Sequence, residues 1–208
     1  MSEATKTGWD VLDEARAMLR QVVAGVPAGG WSRPTPCQAW SVSQVLQHAA
    51  LDQQVWCAVV GGTEPPGEDP FVPSGQLGGE PVAYVEQALN SSVHPWTVID
   101  KDAGPVLTPL PQGAMEPAAA AGAAALDAAI HAWDIAVATG QESPLTPELA
   151  RSLIPVAQNI VEPLRAYGVY AAPLEPGTGA DETAALLAYL GRRPAWTAVG
   201  LAGRARAG

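Results

Sequence analysis

The stretch PAAAAGAAALDAAIHAWDIAVAT, residues 117 to 139, decides the fold of this 208-residue chain. Alanine is the best helix former, Pro117 suits the first turn of a helix, and Gly140 suits the position just after the last turn. The stretch therefore predicts a long helix over 117–139. Because most of its side chains are small and apolar, the few polar ones require an explanation.

Three of those polar side chains can bind a metal ion. Asp127 and His131 are four residues apart and share one helix face, and Asp134 follows close to the same face. Zinc and nickel accept imidazole nitrogen and carboxylate oxygen, and bundles build such sites from facing helices. His48, inside another predicted helix, is the candidate third ligand. The pattern indicates a divalent-metal site of His48, Asp127 and His131 with positions left open for water, thiol or substrate.

The same spacing has a second interpretation, in which both histidines are core residues that hydrogen-bond to Asp52 and Asp134. If a metal is bound, these two carboxylates instead orient the imidazoles by accepting their other N–H groups, or act as catalytic residues that shuttle a proton. For Asp134 a position facing solvent is an equal alternative. An Asp-x-x-x-His pair also arises easily by chance, so its spacing alone does not decide between the two.

Apolar residues at three- and four-residue spacing predict three further helices, over about 9–26, 42–60 and 81–92. Ser41 begins a capping box in front of the helix that holds His48. Alternating β-branched patterns are nearly absent, and residues 106–111 are either a short extended piece or a loop. These features predict an all-α protein.

The C-terminal part predicts two more helices. Thr146 caps the first of them, which Pro155 and Pro163 are expected to kink or split, and Asp181 caps a short last helix. The predicted architecture is a four-helix bundle with long glycine- and proline-rich loops and additional C-terminal helices. We expect residues 1–208 to form a single domain.

Composition narrows the function classes. Twenty-one acidic residues against eleven basic ones give a net charge of −10, which argues against nucleic-acid binding. The sequence lacks a run of eighteen apolar residues, so no membrane association is expected, and its start does not resemble a signal peptide. The expected location is cytoplasmic, with Cys37 and Cys57 reduced. Apolar helix faces are compatible with a homodimer.

Several other side chains invite both a functional and a structural interpretation. Cys37, in the proline-rich segment 31–40, is interpreted as structural because no base partner is evident, and Arg33 there either binds an anion or faces solvent. His94, before a proline, is expected at the surface. Four tryptophans either wall a pocket or belong to the core: Trp40, Trp56, Trp96 and Trp133.

Three motifs together resemble a known family. Residues 31–48, WSRPTPCQAWSVSQVLQH, resemble the pattern W…PTPC-x-x-W-[ST]-V-x-x-[LV]-x-x-H, and residues 126–140, LDAAIHAWDIAVATG, look like D-x-x-x-H-x-W-D-L-A-x-A-T-G with Ile135 in place of leucine. Residues 187–196, LAYLGRRPAW, are similar to the usual C-terminal ending. The resemblance is to an actinobacterial metal-binding family of the DinB/YfiT-like superfamily, related to mycothiol-dependent maleylpyruvate isomerase N-terminal domains.

The resemblance implies a DinB-like four-helix bundle whose divalent metal is held by the histidine of the first motif and an acid-x-x-x-His pair. In this chain those positions are His48, Asp127 and His131. Related members often have glutamate at the acid position, so the shorter aspartate reaches the metal less directly. Superfamily members include S-transferases that use mycothiol or bacillithiol, an isomerase and metal-assisted hydrolases, which makes mycothiol a candidate co-substrate.

We therefore predict a metal-dependent enzyme that acts on a small organic molecule by thiol-linked transfer, isomerisation, cyclisation or hydrolysis, with actinobacterial secondary metabolism as one setting. Zinc is the first candidate metal and nickel the second. The alternatives are a non-catalytic protein that sequesters a small molecule or metal, and a dimerisation module that keeps a vestigial site.

Overall fold

The computed structural model describes residues 5–37 and 40–197, and within them the protein is mostly helical. The elements, in chain order, are α1 Asp10–Ala24, α2 Val42–Val60, α3 Pro81–Ser91, α4 His94–Val98, β1 Val106–Leu107, β2 Ala114–Met115, α5 Pro117–Thr139, α6 Pro147–Ala166 and α7 Glu182–Tyr189. The predicted all-α, DinB-like class is confirmed. The helices over 42–60 and 117–139 have the predicted boundaries.

Helix α5 is the centre of the molecule and packs against α1, α2 and α6, while α3 packs against α1 and α2. Its small side chains let neighbouring helices approach closely. A Cβ atom on Gly122 would lie only 2.8 Å from Cγ2 of Val156 on α6. Gly140 ends the helix with φ of 80°, a left-handed conformation that costs glycine little. The alanine-rich stretch thus becomes the buried spine on which the site is built.

Helix α2 begins at the predicted capping box. The Ser41 hydroxyl accepts from the backbone N–H of Gln44, and the Gln44 side chain accepts from the backbone N–H of Ser41. This start fixes the register of α2 and hence the depth at which His48 lies.

Helix α6 runs unsplit through Pro155 and Pro163, so the predicted split is wrong, while a kink stays a prediction. Both prolines lie on its exposed face, whereas leucine, isoleucine and valine side chains on the other face pack into the core. Burial of that face offsets the lost backbone hydrogen bonds.

Between α3 and α5 the chain forms two small elements. β1 and β2 make a short antiparallel hairpin, and His94 begins the short helix α4 in an exposed position.

Helix α5 is also the one helix among the described residues that is long and apolar enough to cross a membrane. However, 89% of its apolar window is buried inside the fold, as expected for the core helix of a bundle. The cytoplasmic location stays a prediction.

Candidate metal centre

The structure brings His48, Asp127 and His131 together between α2 and α5. The Oδ1 atom of Asp127 lies 3.3 Å from Nε2 of His48 and 3.3 Å from Nε2 of His131. The two imidazole rings meet edge to face with their centroids 4.7 Å apart. Both histidines are buried and Asp127 is partly buried. The three side chains therefore present three ligand atoms to one small space.

The other ring nitrogen of each imidazole has a partner that can only accept a hydrogen bond. Nδ1 of His48 lies 2.8 Å from the carbonyl oxygen of Pro70, and Nδ1 of His131 lies 3.0 Å from Oδ2 of Asp134. Each Nδ1 must therefore carry the proton, which leaves the Nε2 of a neutral imidazole with a lone pair. Two nitrogen lone pairs then face the Asp127 carboxylate.

Such a group of electron-rich atoms is stable only with a cation among them, either a proton on an imidazole or a metal ion. The Oδ2 atom of Asp127 is buried, and the Asp127 carboxylate also meets the Asp52 carboxyl group, which can donate to it when protonated. Either a proton shared with Asp52 or a metal ion can satisfy this buried oxygen. The donor set, two imidazoles and a carboxylate, fits a divalent ion such as zinc.

The electrostatics around His131 point the same way. Burial by itself lowers the pKa of His131, but the Asp127 and Asp134 carboxylates outweigh burial and raise the pKa to about 9. Burial likewise opposes ionisation of Asp127, yet the two histidines hold its pKa below the usual range. Without a metal, a proton therefore occupies the centre at neutral pH.

Asp134 is fully buried and joins His131 to the C-terminal segment. Arg192 donates from Nε to Oδ1 at 2.9 Å and from the second guanidinium nitrogen to Oδ2 at 2.7 Å. Burial raises the pKa of Asp134, but Arg192 and His131 together bring it below the usual value. Asp134 thus stays ionised and orients the His131 ring, as expected for the outer partner of a metal ligand.

Asp52 does not hydrogen-bond to His48, so its predicted role as orienting partner is wrong, while its catalytic role stays a prediction. The partner of His48 is the Pro70 carbonyl rather than Asp52, since both ring nitrogens of His48 are engaged elsewhere. Asp52, one turn after His48, lines the cavity next to Asp127. Burial and the Asp127 carboxylate raise the pKa of Asp52 well above its usual range. The raised pKa favours a protonated carboxyl group beside the centre.

Cys37 and Arg33, the two residues of the proline-rich segment that have a functional and a structural interpretation, lie in different surroundings. The Cys37 sulfur forms a second cluster of ligand-type atoms with His131 and Asp134, and it lines the cavity. Burial, followed by the charge of Asp134, raises the pKa of Cys37 to about 12, which makes a thiolate nucleophile unfavourable. Arg33 is exposed and donates to the carbonyl of Thr139, away from the centre.

A cavity of about 660 Å³ opens onto the three converging side chains. Of the four tryptophans, Trp40 and Trp56 line it, whereas Trp96 and Trp133 are buried core residues. The Trp40 ring lies 4.8 Å from the His48 ring, centroid to centroid. The tip of the β1–β2 hairpin, residues 70–71 and the loop after α6 also line it, so the long loops form the mouth of the pocket.

The loop that carries Pro70 is fixed to α2 by a buried glutamine. The Oε1 atom of Gln47 accepts from the backbone N–H of Gly75 at 2.7 Å and from the hydroxyl of Ser74 at 3.3 Å. Its Nε2 donates to Glu68 at 3.2 Å. Gln47 and His48 together therefore hold residues 68–75 over the centre.

The sequence interpretation missed Arg192, Pro70 and Tyr170 as parts of the site. Arg192 lies in the C-terminal motif. The motif therefore marked this segment, but the sequence alone did not assign Arg192 a role. Pro70 acts through its backbone, which leaves no mark in the residue type. Tyr170 lines the cavity, and burial with the nearby Asp127 charge raises its pKa.

Fold and site together define a helical bundle with a cluster of two histidines and an aspartate whose ligand atoms could hold a metal ion. The sequence model for the mycothiol maleylpyruvate isomerase N-terminal domain matches residues 12–136, and the chain belongs to this family. The match includes His48, Asp127 and His131 and ends before Arg192.

The curated relatives add the family relationship but no activity. Proteins from two strains of Mycobacterium tuberculosis, both described as uncharacterized, are 32% identical over 153 residues, which cover 72% of this chain and 76% of each relative. No solved structure matches the chain significantly.

Proposed function

We propose that this protein is a metal-dependent enzyme that acts on a small organic molecule in the cavity, with a divalent ion held by His48, Asp127 and His131. The observation that carries the proposal is the convergence of two Nε2 atoms on one carboxylate oxygen at 3.3 Å, with each Nδ1 already engaged. Three protein ligands leave room for a further one from solvent or substrate, as in catalytic rather than structural zinc sites.

A bound dication would supply Lewis acidity, lowering the pKa of a coordinated water or thiol and polarising a substrate oxygen. The protein's own groups do the rest. Asp134 holds the His131 ring so that Nε2 faces the centre, and Pro70 does the same for His48. Asp52, with its raised pKa, keeps a proton on a carboxyl oxygen that lines the cavity, where it can be given to a substrate.

Family membership supports thiol-linked chemistry as the reaction class, with mycothiol as the co-substrate and isomerisation or transfer as the outcome. An external thiol is placed before Cys37 as the reacting thiol, because burial raises the pKa of Cys37 in the metal-free protein. Zinc is the metal we place first, since its preferred donors match the donor set.

The proposal is tested by measuring bound metal in the purified protein and in two variants. His131→Ala removes a ligand, and we expect it to abolish stoichiometric zinc. His94→Ala is the matched control, because His94 is the exposed third histidine and lies outside the centre. Unchanged metal content in His131→Ala would show that the centre is not the metal site.

Turnover is tested with the zinc-loaded protein, mycothiol and a panel of small electrophiles. We expect thiol consumption by wild type that falls to the uncatalysed rate in His131→Ala and is retained in His94→Ala. If zinc binds at the centre but none of the panel is turned over, sequestration of a small molecule replaces catalysis as the function.

A further inference from the structure

The chemical class of the molecule that fills the cavity follows from its walls, its charges and its rim. The walls are apolar and come from separate parts of the chain. Trp56 is on α2, Ile130 is on α5, Ile160 and Leu164 are on α6, and Trp40 precedes α2. Because several elements contribute, the apolar lining is a property of the whole cavity rather than of one helix face.

The charges of the cavity do not suit an anionic body. Among the described residues that line it, Arg192 is the only arginine or lysine, and its Nε and Nη2 donate to the Asp134 carboxylate, which balances its charge. The carboxyl groups present are those of Asp52 and Asp127. A carboxylate buried in this cavity away from the centre would therefore meet only a cation whose charge Asp134 already balances, which is unfavourable.

The rim of the cavity is apolar as well. Phe71, Tyr167 and Val169 all line the cavity and are 53%, 72% and 41% exposed. Single exposed apolar residues are ordinary, but three around one opening are typical of a surface that receives a hydrophobic ligand. The rim and the walls therefore both favour a hydrophobic ligand.

We infer that the cavity receives an uncharged, hydrophobic small molecule, aromatic or alicyclic in its body, with a single head group that reaches the His48, Asp127 and His131 centre. The volume of about 660 Å³ suits a molecule of drug-like size. Dicarboxylates, the class to which maleylpyruvate belongs, do not match the lining. The head group rests on the proposed function, whereas the hydrophobic body rests on the cavity alone.

A matched pair of probes tests the inference on the zinc-loaded protein. 2-Naphthohydroxamic acid has one metal-coordinating head and an apolar body, and 6-carboxy-2-naphthohydroxamic acid adds a single carboxylate to that body. By isothermal titration calorimetry we expect the first to bind at least about tenfold more tightly, since the second buries an unpaired charge. Equal or tighter binding of the carboxylated probe would overturn the inference.

A rim variant locates the probes. Val169→Lys places a cation at the exposed edge of the cavity. We expect it to weaken the binding of 2-naphthohydroxamic acid and to strengthen the binding of the carboxylated probe. Val98→Lys is the matched control, because Val98 is 65% exposed on α4 and does not line the cavity. If the preference between probes is the same in Val169→Lys as in wild type, the probes bind elsewhere and the inference fails.

A third probe without a coordinating head separates this inference from the proposed function. N-Phenyl-1-naphthylamine, whose fluorescence rises in apolar surroundings, is titrated into metal-free protein. Binding that Val169→Lys weakens, in a protein that fails to retain zinc, would support the hydrophobic cavity and refute the metal centre. Retention of zinc that depends on His131, without binding of the amine, would refute the hydrophobic cavity and leave the metal centre intact.

Discussion

The two imidazoles of the centre are oriented in the same way but by partners of different kinds. Nδ1 of His131 donates to Asp134, a fully buried carboxylate to which Arg192 donates two hydrogen bonds. Nδ1 of His48 donates to a backbone carbonyl, that of Pro70. One support is an ion pair that reaches the C-terminal segment, and the other is a neutral dipole on a surface loop.

The difference matters because a carboxylate acceptor does more than orient a ring. Its charge makes the imidazole more basic and strengthens it as a ligand, whereas a carbonyl chiefly fixes tautomer and direction. The ion pair also costs stability if one partner is lost, since the other is left buried and charged. We therefore expect the His131 side to be the energetically sensitive half of the centre.

The largest expected effect comes from breaking the ion pair. Asp134→Asn keeps the size of the side chain but leaves Arg192 buried without its counter-charge. We expect a loss of about 3–5 kcal/mol in the free energy of unfolding and a fall of about 10–100-fold in zinc affinity. Urea denaturation and competition with a zinc chelator measure the two quantities.

The double variant Asp134→Asn/Arg192→Gln is the control for this experiment. It removes both charges, so we expect it to recover part of the stability but not the zinc affinity. Recovery of both would show that Asp134 matters only for folding and does not tune His131.

The pH dependence of the metal-free protein tests the charge on the same side. The pKa of His131 is raised in the folded state to about 9, so its contribution to stability is fully present below about pH 6.5 and is lost as the pH rises through about 9. We expect wild type to lose up to about 3 kcal/mol relative to His131→Gln over that range, measured by urea unfolding in EDTA. If the stability of wild type relative to His131→Gln instead increases as the pH rises, the centre does not hold a proton.

Most of the fold followed from local sequence signals. The alanine run, the capping residue Ser41 and Gly140 gave the boundaries of α2 and α5, because each signal acts within one turn of helix. Helix α6 was harder, since the sequence marks Pro155 and Pro163 but not which face is exposed. Only tertiary packing decides whether a proline breaks a helix.

The centre was predictable where its ligands share a helix and less so where they come from distant segments. Asp127 and His131 are fixed relative to each other by helical spacing alone, and His48 was added as the remaining mid-helix histidine. Arg192 and Pro70 act across the fold, one from 58 residues away along the chain. No periodicity reports such contacts, and a carbonyl partner has no side-chain signature.

The smallest expected effect lies on the His48 side, where the support is a loop. Gln47→Ala removes the acceptor for the backbone N–H of Gly75 and releases one attachment of residues 68–75 to α2. We expect a loss of about 1 kcal/mol in stability and a fall in zinc affinity below about tenfold, because Pro70 can still reach His48. Gln54→Ala is the matched control on the same helix, since Gln54 bonds only the exposed side chain of Ser91 among the described residues. A zinc affinity in Gln47→Ala as low as that in Asp134→Asn would mean that the loop, rather than the ion pair, is the sensitive half of the centre.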